Sequence, residues 1–235
     1  FTNVPEDSVV NGLDVESVYE VPLMFHQQNL DNIIMTYLQM WTGSPKLQPW
    51  IDLIEKYKNP QDEVDIAFIG KYVEHLDSYE SLKEALLHGG IANRLKVQLH
   101  YIDSEFLTPE NAYEQLEKMD GVLVAPGFGE RGMEGKITAI QIARTGNIPF
   151  FGICLGMQMA IVEFARNVVG IAGANSGESR PDHAENVIDL MPEQEGHQET
   201  GGTMRLGSQI TVLKKGSRIA GMYNKTTISE RHRHR

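Results

Sequence analysis

The chain has 235 residues, 41% of them hydrophobic, a formal net charge of −11 and a single cysteine. One cysteine excludes a disulfide framework and a cysteine-rich metal centre. The acidic balance argues against nucleic acid as a partner, and no apolar run is long enough to span a bilayer. What remains is a globular protein large enough for one α/β domain plus an appendage, and the lone thiol points to a reducing, cytoplasmic compartment.

Phe1 to about Val21 has no initiator Met, no signal-peptide pattern and no clear periodicity. Leu30, Ile33, Ile34, Tyr37, Leu38 and Trp41 then recur at helical spacing until Thr42-Gly43-Ser44-Pro45 breaks the pattern. Pro49 opens a second short helix with Trp50, Leu53, Ile54 and Tyr57 on one face. Asn59-Pro60-Gln61-Asp62 reads as a linker, dividing residues 1–60 from residues 61–235.

From there strands and helices alternate. Val64 to Gly70 is a buried strand. Asp77 or Ser78 is expected to cap a helix, with Glu80 completing a capping box and Gly89-Gly90 ending it. Val97, Leu99 and Tyr101 alternate as a second strand. Thr108-Pro109 should start a helix running to Met119, Gly121 to Val124 is a third strand, and Lys136 to Arg144 is a helix stopped by Gly146. This order calls for a mainly parallel sheet with helices on both faces, a three-layer, flavodoxin-like α/β fold whose ligands bind at the carboxyl ends of the strands. Beyond it, Met159, Ile161, Val162, Phe164, Val168 and Val169 predict a helix packed against the sheet. Ser176 to Gly202 reads as a polar surface excursion, and Thr203 to Leu213 as an edge strand or hairpin.

The chemistry concentrates at Phe150-Phe151-Gly152-Ile153-Cys154-Leu155-Gly156-Met157-Gln158. An apolar strand ends in Gly-x-Cys-x-Gly and a helical segment follows at once, which is the pattern of a nucleophile elbow. The flanking glycines let strand and helix approach closely, and the helix N-terminus favours a thiolate and any oxyanion beside it. On composition alone a lone free cysteine is a small buried hydrophobe; the flanking glycines and the strand-to-helix position favour the elbow.

Longer strings carry a family resemblance. Gly152-Ile153-Cys154-Leu155-Gly156-Met157-Gln158 resembles the nucleophile motif of class I, triad-type glutamine amidotransferases. Further strings resemble the CTP synthase family: Phe128-Gly129-Glu130-Arg131-Gly132 with Glu134-Gly135-Lys136, Glu163-Phe164-Ala165-Arg166-Asn167, Ala174-Asn175-Ser176, and Asp189-Leu190-Met191-Pro192-Glu193. Gly201-Gly202-Thr203-Met204-Arg205-Leu206-Gly207 and Glu230-Arg231-His232-Arg233-His234-Arg235 continue the match. The match runs from about residue 64 to the end, and residues 1–60 resemble the tail of a synthetase (amidoligase) domain and a helical linker.

The resemblance implies a glutaminase domain that hydrolyses L-glutamine to glutamate and ammonia, the ammonia serving the ATP-dependent amination of UTP to CTP by a synthetase domain. It implies no metal and no cofactor in this chain, ATP and Mg in the synthetase domain, GTP as an allosteric activator, and a homotetrameric enzyme. Cys154 is then the nucleophile. The backbone N–H groups of Gly127 and Leu155 face the oxyanion, with Gly156, Met157 and Gln158 lining the glutamine site. Glu178 and Arg235 match positions that hold the α-ammonium and α-carboxylate of glutamine. One departure stands in the oxyanion loop: Pro126 replaces the first glycine of the usual pair before Phe128. The family's His-Pro-Glu motif, source of its catalytic base, does not occur among the 235 residues. His183-Ala184-Glu185 and His197-Gln198-Glu199 lie in the wrong order to replace it. A catalytically silent structural or regulatory module of the same fold is the rival expectation.

Overall fold

The computed structural model describes residues 3–41, 43–71, 73, 76–127, 129–180, 183–189 and 205–234. The chain forms two compact units, one of residues 1–66 and 74–100, the other of residues 67–73 and 101–235.

The first unit carries helices α1 (Val21–Gln27), α2 (Leu30–Tyr37), α3 (Gln48–Lys58) and α4 (Glu80–Asn93). Prolines sit in the first turns of α1 and α3, where a missing N–H costs nothing. The periodic run from Leu30 is shorter than its apolar spacing suggests. It ends at Tyr37, Gln39 turns to φ +52°, and Trp41 stands 95% exposed. Tyr19 ties the unit together: its hydroxyl donates to Glu84 at 2.5 Å and lies 2.7 Å from His88 Nε2, and its ring edge meets Tyr57. Burial and the Glu84 carboxylate push the Tyr19 hydroxyl up to about 12.

Two expectations for α4 fail. No side chain caps its start: the turn Leu76–Tyr79 leads directly into the helix. Nor do Gly89 and Gly90 end it, because the left-handed residue that terminates it is Arg94, φ +56°. Gly90 serves packing instead: a Cβ there would fall 2.7 Å from the Leu95 carbonyl oxygen and from Val97 Cγ2.

The central sheet has four strands, β1 (Asp62–Gly70), β2 (Leu95–Asp103), β3 (Gly121–Val124) and β4 (Phe150–Gly152), in the order β2-β1-β3-β4. It is mainly parallel, with β3 and β4 paired Val122 to Phe150, Leu123 to Phe151 and Val124 to Gly152. This order reverses between β1 and β3, and ligands of such sheets gather at the carboxyl ends of the strands beside the reversal. Every residue of β3 is buried, as an apolar run between two partner strands requires.

Helices α5 (Ala112–Leu116), α6 (Met133–Thr145) and α7 (Leu155–Phe164) pack around these strands. Ile69, Val124, Ile137, Ile140, Leu155 and Met159 lie at the centre of the core, each contributing about 1.5–3 kcal/mol of burial. α5 starts later than Thr108-Pro109 suggests, because Asn111 Oδ1 accepts from the Thr108 N–H and holds the preceding residues in a turn. A bidentate ion pair joins α6 to α7: Arg144 Nε and Nη2 donate to the buried Glu163 carboxylate at 2.7–3.0 Å, and Asn167 adds a third donor at 3.1 Å.

α7 packs against the core, as expected, through Leu155, Met159 and Val162, while Met157, Ile161 and Phe164 on its other side, and Val168 just beyond it, are exposed. On β4 Phe150 and Phe151 are exposed as well. No strand pairs with the far edge of β4 among the described residues.

Asn175–Ser176 (β5) pairs in parallel with Asn186–Ile188 (β6), so the start of the expected surface excursion is anchored and buried. Residues 190–204 lie outside the described residues, and with them His197, Glu199 and Met191-Pro192-Glu193. β7 (Arg205–Val212) and β8 (Thr227–His234) form an antiparallel ribbon in register from Arg205–His234 to Val212–Thr227, with α8 (Arg218–Tyr223) between them. Among the described residues no helix is long and apolar enough to cross a membrane.

Candidate active site

Three backbone segments build the site: the elbow after β4, the turn after β3, and the chain leaving β1. Cys154 is the residue before α7, in no disulfide, with φ +53° and ψ −110°. A side chain there is strained by about 1–3 kcal/mol, and surroundings must hold it. They do. The Ile153 N–H donates to Val124 O at 3.0 Å, fastening the elbow to β3, and the Cys154 carbonyl accepts from the Met157 and Gln158 N–H groups at 3.1 Å. A Cβ on Gly156 would lie 2.2 Å from Val124 O, and one on Gly152 would lie 2.7 Å from Gly156 C and O. Both flanking glycines are therefore required by backbone contact, as the sequence pattern suggests. The thiol is half-buried at the start of α7, where N–H groups lack helical partners.

The turn after β3 continues through Ala125, Pro126 and Gly127. The Ala125 N–H still donates to Ile69 O at 2.9 Å, as if the strand continued. Its carbonyl accepts from Lys136 Nζ at 2.8 Å. Gly127 then adopts φ +141° and Gly129 φ +89°, a path that side-chain-bearing residues rarely follow. Phe128 lies outside the described residues.

Glu178, near the start of the polar excursion, comes to this turn: its Oε1 accepts from the Gly129 N–H at 2.8 Å. Lys71, 3% exposed at the end of β1, donates to the Gly129 carbonyl at 2.5 Å. Burial pushes its amine down, and the Glu178 carboxylate opposes the shift. Arg131 donates to Lys71 O at 3.1 Å and pairs with Glu105 at 3.0 Å. The Gly129 amide is thus held between a carboxylate and an ammonium.

Of the residues expected to act, the structure brings Cys154, Leu155, Gly156 and Gln158 together at the elbow, with Gly156 against β3. Glu178 stands on the turn that contains Gly127. Met157 sits in the first turn of α7 with half its surface exposed. Arg235 lies outside the described residues.

Lys136 was not expected in the site. It is wholly buried in the first turns of α6. Burial and the positive Lys71 push its amine down to about 7, while Cys154 pulls the other way. Between about pH 7 and 10.5 the unfolded chain keeps a proton here that the folded chain sheds, so this residue makes stability rise with pH through that window. The available signal was a lysine within the apolar frame of Met133, Ile137 and Ile140, a place where a charge needs a reason.

A mainly parallel sheet with a cysteine at its strand-to-helix elbow is a site for acyl transfer to a thiol. Comparison with known proteins agrees. The family model "Glutamine amidotransferase class-I" matches residues 74–235, and the chain belongs to that family. It is similar to proteins named CTP synthase: 53% identical over 236 residues to that of Geobacter metallireducens, and 50% over 235 residues to that of Syntrophus aciditrophicus. Each match covers 100% of this chain and 44% of the relative, so the chain spans less than half the length of these proteins. It also resembles a solved structure, the Trypanosoma brucei CTPS glutaminase domain with bound acivicin. The TM-score is 0.67 and the identity 40%, over 73% of this chain and 67% of that one.

Proposed function

We propose that this chain is the glutaminase part of a CTP synthase, hydrolysing L-glutamine to glutamate and ammonia for the ATP-dependent amination of UTP. In this reading residues 1–60 are the tail of a synthetase domain with its linker, and residues 61–235 belong to the amidotransferase domain. The Cys154 thiolate adds to the side-chain amide carbon of glutamine, forming a C–S bond while the carbonyl electrons move to oxygen. The N–H groups of Gly127 and Leu155 receive that oxyanion. The oxyanion then collapses to re-form the C=O bond as the C–N bond breaks, the proton given up by the Cys154 thiol passing to nitrogen to release ammonia; water cleaves the resulting thioester to glutamate and restores the thiol. Glu178 takes the α-ammonium and Arg235 the α-carboxylate, with Met157 and Gln158 beside them. No cofactor enters these steps. ATP, Mg, UTP and the activator GTP belong to the whole enzyme, a cytoplasmic homotetramer.

The observation that carries this reading is Cys154 at φ +53° before α7, pinned by two glycines that tolerate no Cβ. The similarity to a glutaminase domain solved with acivicin, a glutamine analogue, supports it. Incubating the full-length enzyme with acivicin and mapping the adduct by mass spectrometry tests it. Modification of Cys154, prevented by excess glutamine, is expected. Failure to label, as a silent module would show, rejects it.

Recognition of the amino-acid end gives a second test. Glu178→Gln and Arg235→Ala should each raise KM for glutamine, since removing one partner of a desolvated charged hydrogen bond costs about 2–5 kcal/mol. Steady-state kinetics with glutamine check this, and an unchanged KM removes the residue from the pocket.

A further inference from the structure

We propose that Lys136 is a positioning residue for the glutaminase reaction, holding the turn that carries the Gly127 N–H. The inference rests on the proposed function. Three observations support it. Lys136 is completely buried, although a lysine side chain is long enough to reach water from most helix positions. Its Nζ donates to the carbonyl of Ala125 at 2.8 Å, two residues before Gly127. The N–H of the same residue is already fixed to Ile69 O, so both polar groups of Ala125 are held and the strand has one direction in which to enter the turn.

An amine donates to Ala125 O whether or not it carries the extra proton, so the hold on the turn persists through its titration. Apolar burial for its own sake would be served better by the isosteric methionine, which neither donates nor carries charge.

The test is Lys136→Met in the full-length enzyme, with two readouts. The first is the rate of Cys154 alkylation by iodoacetamide as a function of pH. It should match the parent's, because the thiol is reached whether or not the turn is held. The second is the split of glutaminase kinetics. kcat should fall between about 10- and 100-fold, as for a small displacement of a reacting group, with KM for glutamine little changed. A kcat equal to the parent's, a loss that falls on KM with kcat intact, or alkylation lost together with kcat overturns the proposal. Should Lys136→Met fail to fold, Lys136→Leu carries the same two measurements with the same criteria. A parent enzyme without glutaminase activity would instead reject the proposed function itself, so the two failures are distinguishable.

Discussion

Cys154→Ala is expected to abolish glutamine-dependent CTP formation by the full-length enzyme and to leave ammonia-dependent formation intact. The side chain lost is the atom that bonds to the amide carbon, and no neighbour replaces it. Removing a nucleophile outright costs on the order of 10⁶ in kcat where this has been measured for a triad enzyme. Alanine removes only the sulfur of a half-buried side chain, and the elbow is held by backbone bonds from Ile153, Met157 and Gln158. The fold should therefore survive, and added ammonia bypasses the missing step. Assaying both nitrogen sources side by side checks this. Loss of both activities would show that residue 154 matters for folding and would return it to the role of a small buried hydrophobe.

Gly156→Ala is expected to be the most damaging single methyl group in the elbow. The added Cβ would meet Val124 O at 2.2 Å and Val124 C at 2.9 Å, both backbone atoms of the central strand. No side chain can swing away, so either α7 lifts or β3 bends. Overpacking of this kind costs typically 1–3 kcal/mol and occasionally more. Because β3 leads into the Gly127 turn, glutaminase activity should be lost with the stability. Gly89→Ala is the control: it lies inside α4 with nothing within 4 Å of the added Cβ. There alanine should stabilise by about 0.5–1 kcal/mol. Thermal unfolding of the two variants checks the contrast, and equal effects would mean that the Val124 contact is not what selects glycine at 156.

The elbow could be read from the sequence because its demands are local. Gly152, Cys154 and Gly156 occupy consecutive turns of backbone whose geometry admits few residue types, and the strand before them is short and apolar. The strands read at Val64–Gly70 and Gly121–Val124 were legible for the same reason, although the first begins earlier, at Asp62 inside the expected linker. Features set by contacts distant in sequence were not. Gly90 looks like a helix stop, yet it is selected by the carbonyl of Leu95 across a close helix–strand approach. Thr108 looks like a cap until Asn111 takes its N–H. Glu178 reads as an ordinary loop charge without the family pattern, because its partner Gly129 is 49 positions away. Lys136 is hidden more deeply still, since helical spacing says only that it faces the core, not that Ala125 O waits there. The uniform apolarity of α7 conceals that one face of it meets the core and the other does not.

That unburied face of α7, with Phe150 and Phe151 on β4, has a colloidal consequence. Apolar surface attracts its like, and a strand edge that no described strand pairs with adds direction to the attraction. A formal charge of −11 supplies the opposing force, but only over the Debye length, about 30 Å at 0.01 M salt and about 8 Å at physiological strength. A preparation of these residues alone should thus be dispersed in dilute buffer and cluster as salt is added, the reverse of the salting-in usually seen for acidic proteins. Its shelf life would be governed by ionic strength before temperature, and anionic dispersants would do more for it than stabilising mutations in the core.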